Sequence, residues 1–169
     1  MSVLESRVLG PINLDGGVGG GAMESAIDVD GTRIPVRLEI DHPGALEDRN
    51  DLGQTVIDDV DVVLEHVETI DRIARDAIEE HMRRTESAPS RLFEAWVRAH
   101  GGGDLPREEF LRSLRPTRMT VTPDGGRANR DRVVVGYGVN DATVSGEITV
   151  RLPSVSTGPE VDPAPRNGY

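Results

Sequence analysis

The chain contains no cysteine and no lysine. Without cysteine there is no disulfide, no thiolate catalysis and no cysteine-ligated zinc. Without lysine there is no Schiff-base chemistry and no Walker-type phosphate lysine, and all 19 basic residues are arginine. Aromatic residues make up only 3%, so the core must be built from Val, Ile, Leu and Ala. No apolar run approaches the roughly 20 residues of a membrane span. The opening MSVLESRVLGPINLD lacks a basic start and a long apolar stretch, so no secretory signal is expected and the chain reads as cytoplasmic.

What is abundant is negative charge, a formal −11 over 169 residues. Such a charge repels phosphate backbones and anionic lipid, which argues against nucleic-acid and membrane partners. It suits solubility, and its electrostatic complement is a basic protein partner. The length suits one domain, placed at residues 1–152, with a Pro- and Gly-rich tail over 153–169 that has no hydrophobic period.

Apolar Val8, Leu9, Ile12 and Leu14 predict a first short strand, broken by Gly10-Pro11. Residues 22–29 and 34–40 predict two more strands about the turn Asp30-Gly31. Ile34, Val36, Leu38 and Ile40 alternate with polar residues, a period of two. Pro35 lacks a donor, which predicts that this strand, or its Pro35 side, is an edge. Asp51 and Gln54 have capping-box spacing, and a long helix over roughly 52–84 follows. Its seam is Val56, Val60, Val63, Val67, Ile70, Ala74 and Ala77. Four acid-before-base pairs at i,i+4 line it: Glu68–Arg72, Asp71–Arg75, Glu79–Arg83 and Glu80–Arg84. Two shorter helices are expected, one over about 89–99 and one capped by Asp104 and closed by Pro116. Strands over 118–122, 133–137 and 148–152 complete the order strands, helices, strands. That is an α+β class: a largely antiparallel sheet packed on one long and two shorter helices.

Within the run NLDGGVGGGA, whose glycine loop spans residues 16–21, the window GVGGGA at residues 17–22 fits a G-x-G-x-x-A pattern. A dinucleotide site needs a helix directly after the glycines, because the helix N-terminus holds the pyrophosphate. Here the sequence runs into a strand, so a flexible connection is the expected role and no cofactor is expected. Among the four histidines, His66 and His81 are about 22 Å apart on a straight helix and cannot share a metal. No metal site is expected.

Asp41 and His42, at a strand end, are the catalytic candidates if there is chemistry. Their bland explanation is a turn before Pro43. Asp58, Asp61 and Glu65 follow helical spacing and cluster their carboxylates, which makes them the partner-binding candidates. Their bland explanation is a solvated face.

A leading hairpin, a long amphipathic helix, shorter helices with Trp96, and the closing RMTVTPDGG…RVVVGYGVNDATVSGEITVRL occur together over roughly residues 7–152. This order resembles small bacterial proteins of unknown function of the immunity-protein-like kind. The resemblance implies a cytoplasmic α+β domain, and neutralising toxins by binding is ascribed to some members. It carries over no catalytic residue. The leading expectation is a non-enzymatic protein-binding domain for a basic partner. The alternatives are a metal- or acid/base-dependent enzyme using Asp41 and His42, and a homo-oligomeric structural component.

Overall fold

The computed structural model describes residues 3–13, 21–40, 50–123, 131–153 and 159–163. Eight strands and four helices are formed among them, in an α+β arrangement. β1 (Val3–Ser6) and β2 (Gly10–Asn13) form a separate antiparallel hairpin. The segment expected as one strand from Val8 is therefore a turn followed by β2. Ser6 Oγ closes that turn by accepting from the amides of Val8 (3.2 Å) and Leu9 (2.8 Å).

The main sheet has six strands in the order β3-β4-β5-β6-β7-β8. β3 (Gly21–Val29) and β4 (Thr32–Ile40) pair over nine positions, Gly21↔Ile40 to Val29↔Thr32. The two-residue turn between them has Asp30 at φ 48° and Gly31 at φ 73°, the doubly left-handed geometry that matches strand twist. The chain then passes through all four helices before returning as β5 (Leu114–Val121), which lies parallel to β4. A parallel neighbour requires such a crossover. β6 (Asp131–Val139), β7 (Glu147–Pro153) and β8 (Glu160–Pro163) follow antiparallel. The stretch read as a tail thus contributes β8.

β4 is an interior strand, contrary to the edge expected from Pro35. Its ladder with β5 begins only at Val36↔Met119, so Pro35 lies just outside the pairing that would have needed its donor. Pro116 sits inside β5, where the register shifts against β6 between Pro116 and Arg118.

The expected long helix is two, α1 (Asn50–Glu65) and α2 (Val67–His81), separated at His66. The His66 amide bonds Val63 O at 3.2 Å, and its ring Nδ1 takes Val62 O at 2.7 Å. The side chain has replaced the amide in the i→i−4 ladder, a recognised cause of a break. The Gln54 side chain pairs with the β1 backbone at Glu5, not with the helix start, and the Asp51 side chain lies outside the described residues. α3 (Ala88–Ala99) is capped by Ser87, whose Oγ accepts from Ser90 N, with Pro89 in its first turn. α4 (Arg107–Ser113) starts after Pro106 with no side-chain cap. Asp104 therefore does not cap it, and the chain enters β5 before reaching Pro116.

One face of the sheet builds the core. Val29, Ile34, Val36, Leu38, Met119, Val121, Val135, Tyr137, Ile148 and Val150 are buried there. They meet Ala74 and Ile78 of α2, Leu92 and Trp96 of α3, and Phe110 of α4. Phe93, Trp96 and Phe110 lie with ring centroids 5.4–6.2 Å apart, so the scarce aromatics are concentrated in one cluster. A polar network crosses this core. Tyr137 OH donates to Asp71 Oδ1 (2.7 Å), and Arg75 Nε donates to Asp71 Oδ2 (2.7 Å). Arg75 also reaches the carbonyls of Leu111 and Leu114 at 3.2 and 3.3 Å. Of the four expected i,i+4 pairs, Asp71–Arg75 is thus an internal strut, while Glu80–Arg84 is a loose surface pair at 4.0 Å.

Candidate functional site

Asp41, His42, Gly16, Gly17, Gly19 and Gly20 lie outside the described residues. The glycine run leads into β3, a strand and not a helix. The helix N-terminus that would hold a pyrophosphate is therefore not there.

The acidic set on α1 is divided by the fold. Asp61 is fully buried. Its Oδ1 accepts from Ser6 Oγ, and its Oδ2 accepts from Arg7 N at 2.7 Å. Glu65 is exposed and bonds Arg7 Nε at 2.9 Å, which raises the Arg7 guanidinium pKa above its ordinary value. Asp58 is exposed and accepts from Gln54 Nε2 at 3.0 Å. These three carboxylates and Gln54 together dock the β1–β2 hairpin onto α1. Helical spacing brought the residues to one face as expected. The hairpin lying on that face is what spacing alone does not reveal.

Each described histidine spends Nδ1 on the carbonyl four residues back: His66 on Val62, His81 on Ala77 and His100 on Trp96, at 2.7–2.9 Å. A carbonyl only accepts, so each Nδ1 carries the hydrogen. His81 Nε2 lies 3.4 Å from Arg84 Nη1. His100 packs on Trp96 with centroids 4.6 Å apart, and its Nε2 lies 3.5 Å from Asp141 Oδ2. Asp141 is held below the usual carboxylate range, first by the Thr143 hydroxyl and then by the Thr143 amide. That cluster ties the end of α3 to the β6–β7 turn. Among the described residues no group of three or more His, Asp or Glu is placed to hold a metal ion. No helix among them is long and apolar enough to cross a membrane.

Two clefts lie away from these residues. A cleft of about 800 Å³ opens between the C-terminal half of α2, the α2–α3 turn and β8. Its apolar wall is Ile73, Ala77, Pro159 and Val161, and Asp76, Glu80, Glu86 and Glu160 stand among them. Arg84 is the one arginine of the lining, and it is already paired with Glu80. Ile73 is 40% exposed, one of three large apolar side chains so placed among the described residues. Glu86 has φ 65°, in the left-handed region that favours glycine. Holding a glutamate there costs about 1 kcal/mol or more.

The turn that places Glu86 is built from two serines. Ser87 Oγ donates to His81 O at 2.8 Å, and Ser90 Oγ reaches Arg84 O at 2.9 Å. The last carbonyl of α2, at His81, and that of Arg84 in the turn are thus satisfied by the residues that start α3. A second cleft, between α3 and residues 103–107, sets Arg98 and Arg107 beside Glu94 and Asp104 and has no net sign.

Sequence reasoning missed the first cleft because one of its walls is β8 with the residue before it. The signal was present as a short polar–apolar alternation, Glu160-Val161-Asp162. No protein-family model, no curated protein and no solved structure matches the chain.

Proposed function

We propose that the chain is a cytoplasmic, non-enzymatic protein-binding domain of the immunity-like kind, which receives a basic segment of a protein partner in the α2–β8 cleft. The observation that supports this reading is the cleft itself. Four carboxylates stand over an apolar wall, against one arginine that is already paired. A segment with alternating arginine and leucine matches both features, with the guanidinium groups meeting the rim and the leucines covering Ile73 and Val161. The strained Glu86 backbone adds to it. A conformational cost borne at a cleft rim is a mark of a functional position. The overall charge of −11 draws such a partner in.

This reading moves the contact surface from Asp58, Asp61 and Glu65 to Asp76, Glu80, Glu86 and Glu160. Asp61 is internal, and Asp58 and Glu65 already hold the hairpin.

A synthetic Arg-Leu alternating peptide, titrated by fluorescence anisotropy, tests it. Glu80→Gln with Glu160→Gln is compared with Asp58→Asn with Glu65→Gln, so that both doubles change net charge equally. The cleft double is expected to weaken binding roughly tenfold, and the α1 double by no more than about twofold. Glu86→Gly is expected to raise thermal stability while weakening the peptide. Equal losses in the two doubles would reduce the binding to net charge and sink the cleft assignment.

A further inference from the structure

The two edges of the six-stranded sheet are built differently. β8 has four residues and ends at Pro163, which lacks a donor, so this edge is short and blunted. β3 has nine residues, contains no proline, and pairs with β4 at every position without a bulge. The two-residue turn makes Val29↔Thr32 a hydrogen-bonded pair, so the odd-numbered residues of β3 bond to β4. The N–H and C=O groups of Glu24, Ala26 and Asp28 therefore point out of the sheet. Among the described residues nothing bonds to them.

Local charge shows what this edge can accept. Glu24 lies opposite Arg37 and Asp28 opposite Arg33, and Arg37 Nε itself bonds Glu39 at 2.9 Å. A second acidic chain therefore meets both signs along this edge, the acids of β3 beside the arginines of β4.

We infer that β3 pairs antiparallel with β3 of a second copy of this chain, about a two-fold axis at Ser25, to give one continuous twelve-stranded sheet. The register follows from the backbone. Bonding groups are even-numbered, and a centre at Ser25 sets Glu24 against Ala26 of the partner subunit, both even. A centre at Ala26 would also align even residues, but it sets Glu24 against Asp28 of the partner subunit, two like charges face to face. At the Ser25 centre each acid faces a position without charge. The two Ser25 hydroxyls then stand across a close, non-hydrogen-bonded pair. On the core side, half-buried Met23 meets Ile27 of the partner subunit, so the apolar stripe continues. Roughly eight inter-strand hydrogen bonds form. The cleft lies at the opposite edge of the sheet, so this pairing is independent of partner binding.

Sedimentation velocity over a concentration series reads the association, with Ala26 as the probe. Ala26→Lys places a cation opposite Glu24 twice per dimer, and Ala26→Glu places an anion there. The first is expected to tighten the dimer and the second to loosen it, each roughly two- to thirtyfold in Kd. Added salt tightens the wild-type dimer by screening the repulsion between two chains of charge −11. Ala26→Pro removes an outward donor and abolishes pairing. Hydrogen exchange on the wild type needs no variant: the amides of Glu24, Ala26 and Asp28 gain protection with concentration.

A monomer at every concentration, including Ala26→Lys, overturns the inference. So does a dimer indifferent to Ala26, or one weakened by both Lys and Glu, which would mark a centre at Ala26. Protection of these amides by the Arg-Leu peptide alone would assign the edge to the cleft's partner and overturn it too.

Discussion

Removing the Asp61 carboxylate should release the β1–β2 hairpin from the rest of the molecule. Asp61 is fully buried and accepts from Ser6 Oγ and from Arg7 N at 2.7 Å. Ser6 Oγ in turn accepts from the amides of Val8 and Leu9. Asp61→Ala strands the buried Ser6 hydroxyl and leaves the Arg7 amide to water. A hydrogen bond to a charged group contributes about 1.5–3 kcal/mol, and a stranded buried partner costs a similar amount. The expected loss is therefore about 2–4 kcal/mol, which for this chain length lowers Tm by roughly 4–16 °C. Ser6→Ala should cost about 1–3 kcal/mol, because it removes the donor to Asp61 and the acceptor for two amides. Asp61→Asn keeps one oxygen and the shape, so its loss is smaller. In a double-mutant cycle Ser6→Ala and Asp61→Ala should couple by about 1–2 kcal/mol, since they share one hydrogen bond. Urea unfolding supplies the free energies, and hydrogen exchange locates the loss, which should concentrate in residues 3–13. Leu4 and Ile12 anchor the hairpin by burial, so some protection remains. If Asp61→Ala stays within about 0.5 kcal/mol of wild type and protection over 3–13 is unchanged, the reasoning about buried carboxylates fails here.

Two further outcomes are expected. Thr149 is 1% exposed and its hydroxyl has no hydrogen-bond partner among the described residues, so Thr149→Val should stabilise the fold by about 1 kcal/mol in urea unfolding; a loss of stability would mean that the hydroxyl is satisfied. The Tyr137 phenol is pushed far above its ordinary value, first by burial and then by the neighbouring Asp71 charge and hydrogen bond. A raised folded-state pKa contributes stability that is complete below the unfolded value of about 10 and is lost as pH rises beyond it. The Tyr137→Phe variant, weaker at neutral pH because Asp71 loses a donor, should therefore close on wild type by about 1.4 kcal/mol per pH unit above 10. The absence of lysine and cysteine leaves that alkaline window free of other side chains except the second tyrosine. A constant gap from about pH 9 to 11 would refute the burial of the neutral phenol.

Local preferences of the chain set the first layer of this protein. Period-two alternation over residues 34–40 and the pair Asp30-Gly31 became β4 and the turn of the β3–β4 hairpin. Of the seam from Val56 to Ala77, Val60, Ala74 and Ala77 are buried and the others are half-buried against the core. The helix expected over about 89–99 became α3. These features act over a few residues, through dihedral preference and the spacing of side chains on one element.

Tertiary structure decided what each element lies against. Nothing local distinguishes Asp61 from Asp58 or Glu65, and burial of one among the three follows from where β1 docks. His66 breaks the helix because its ring competes for a carbonyl, although the apolar period runs on through it. Pro35 is tolerated in an interior strand because β5 arrives only one residue later. The short alternation at 160–162 becomes β8, and with it one wall of the cleft, because β7 supplies the open edge it needs. Pairing partners, burial and clefts depend on contacts distant in the chain, and those are fixed by packing the whole molecule at once.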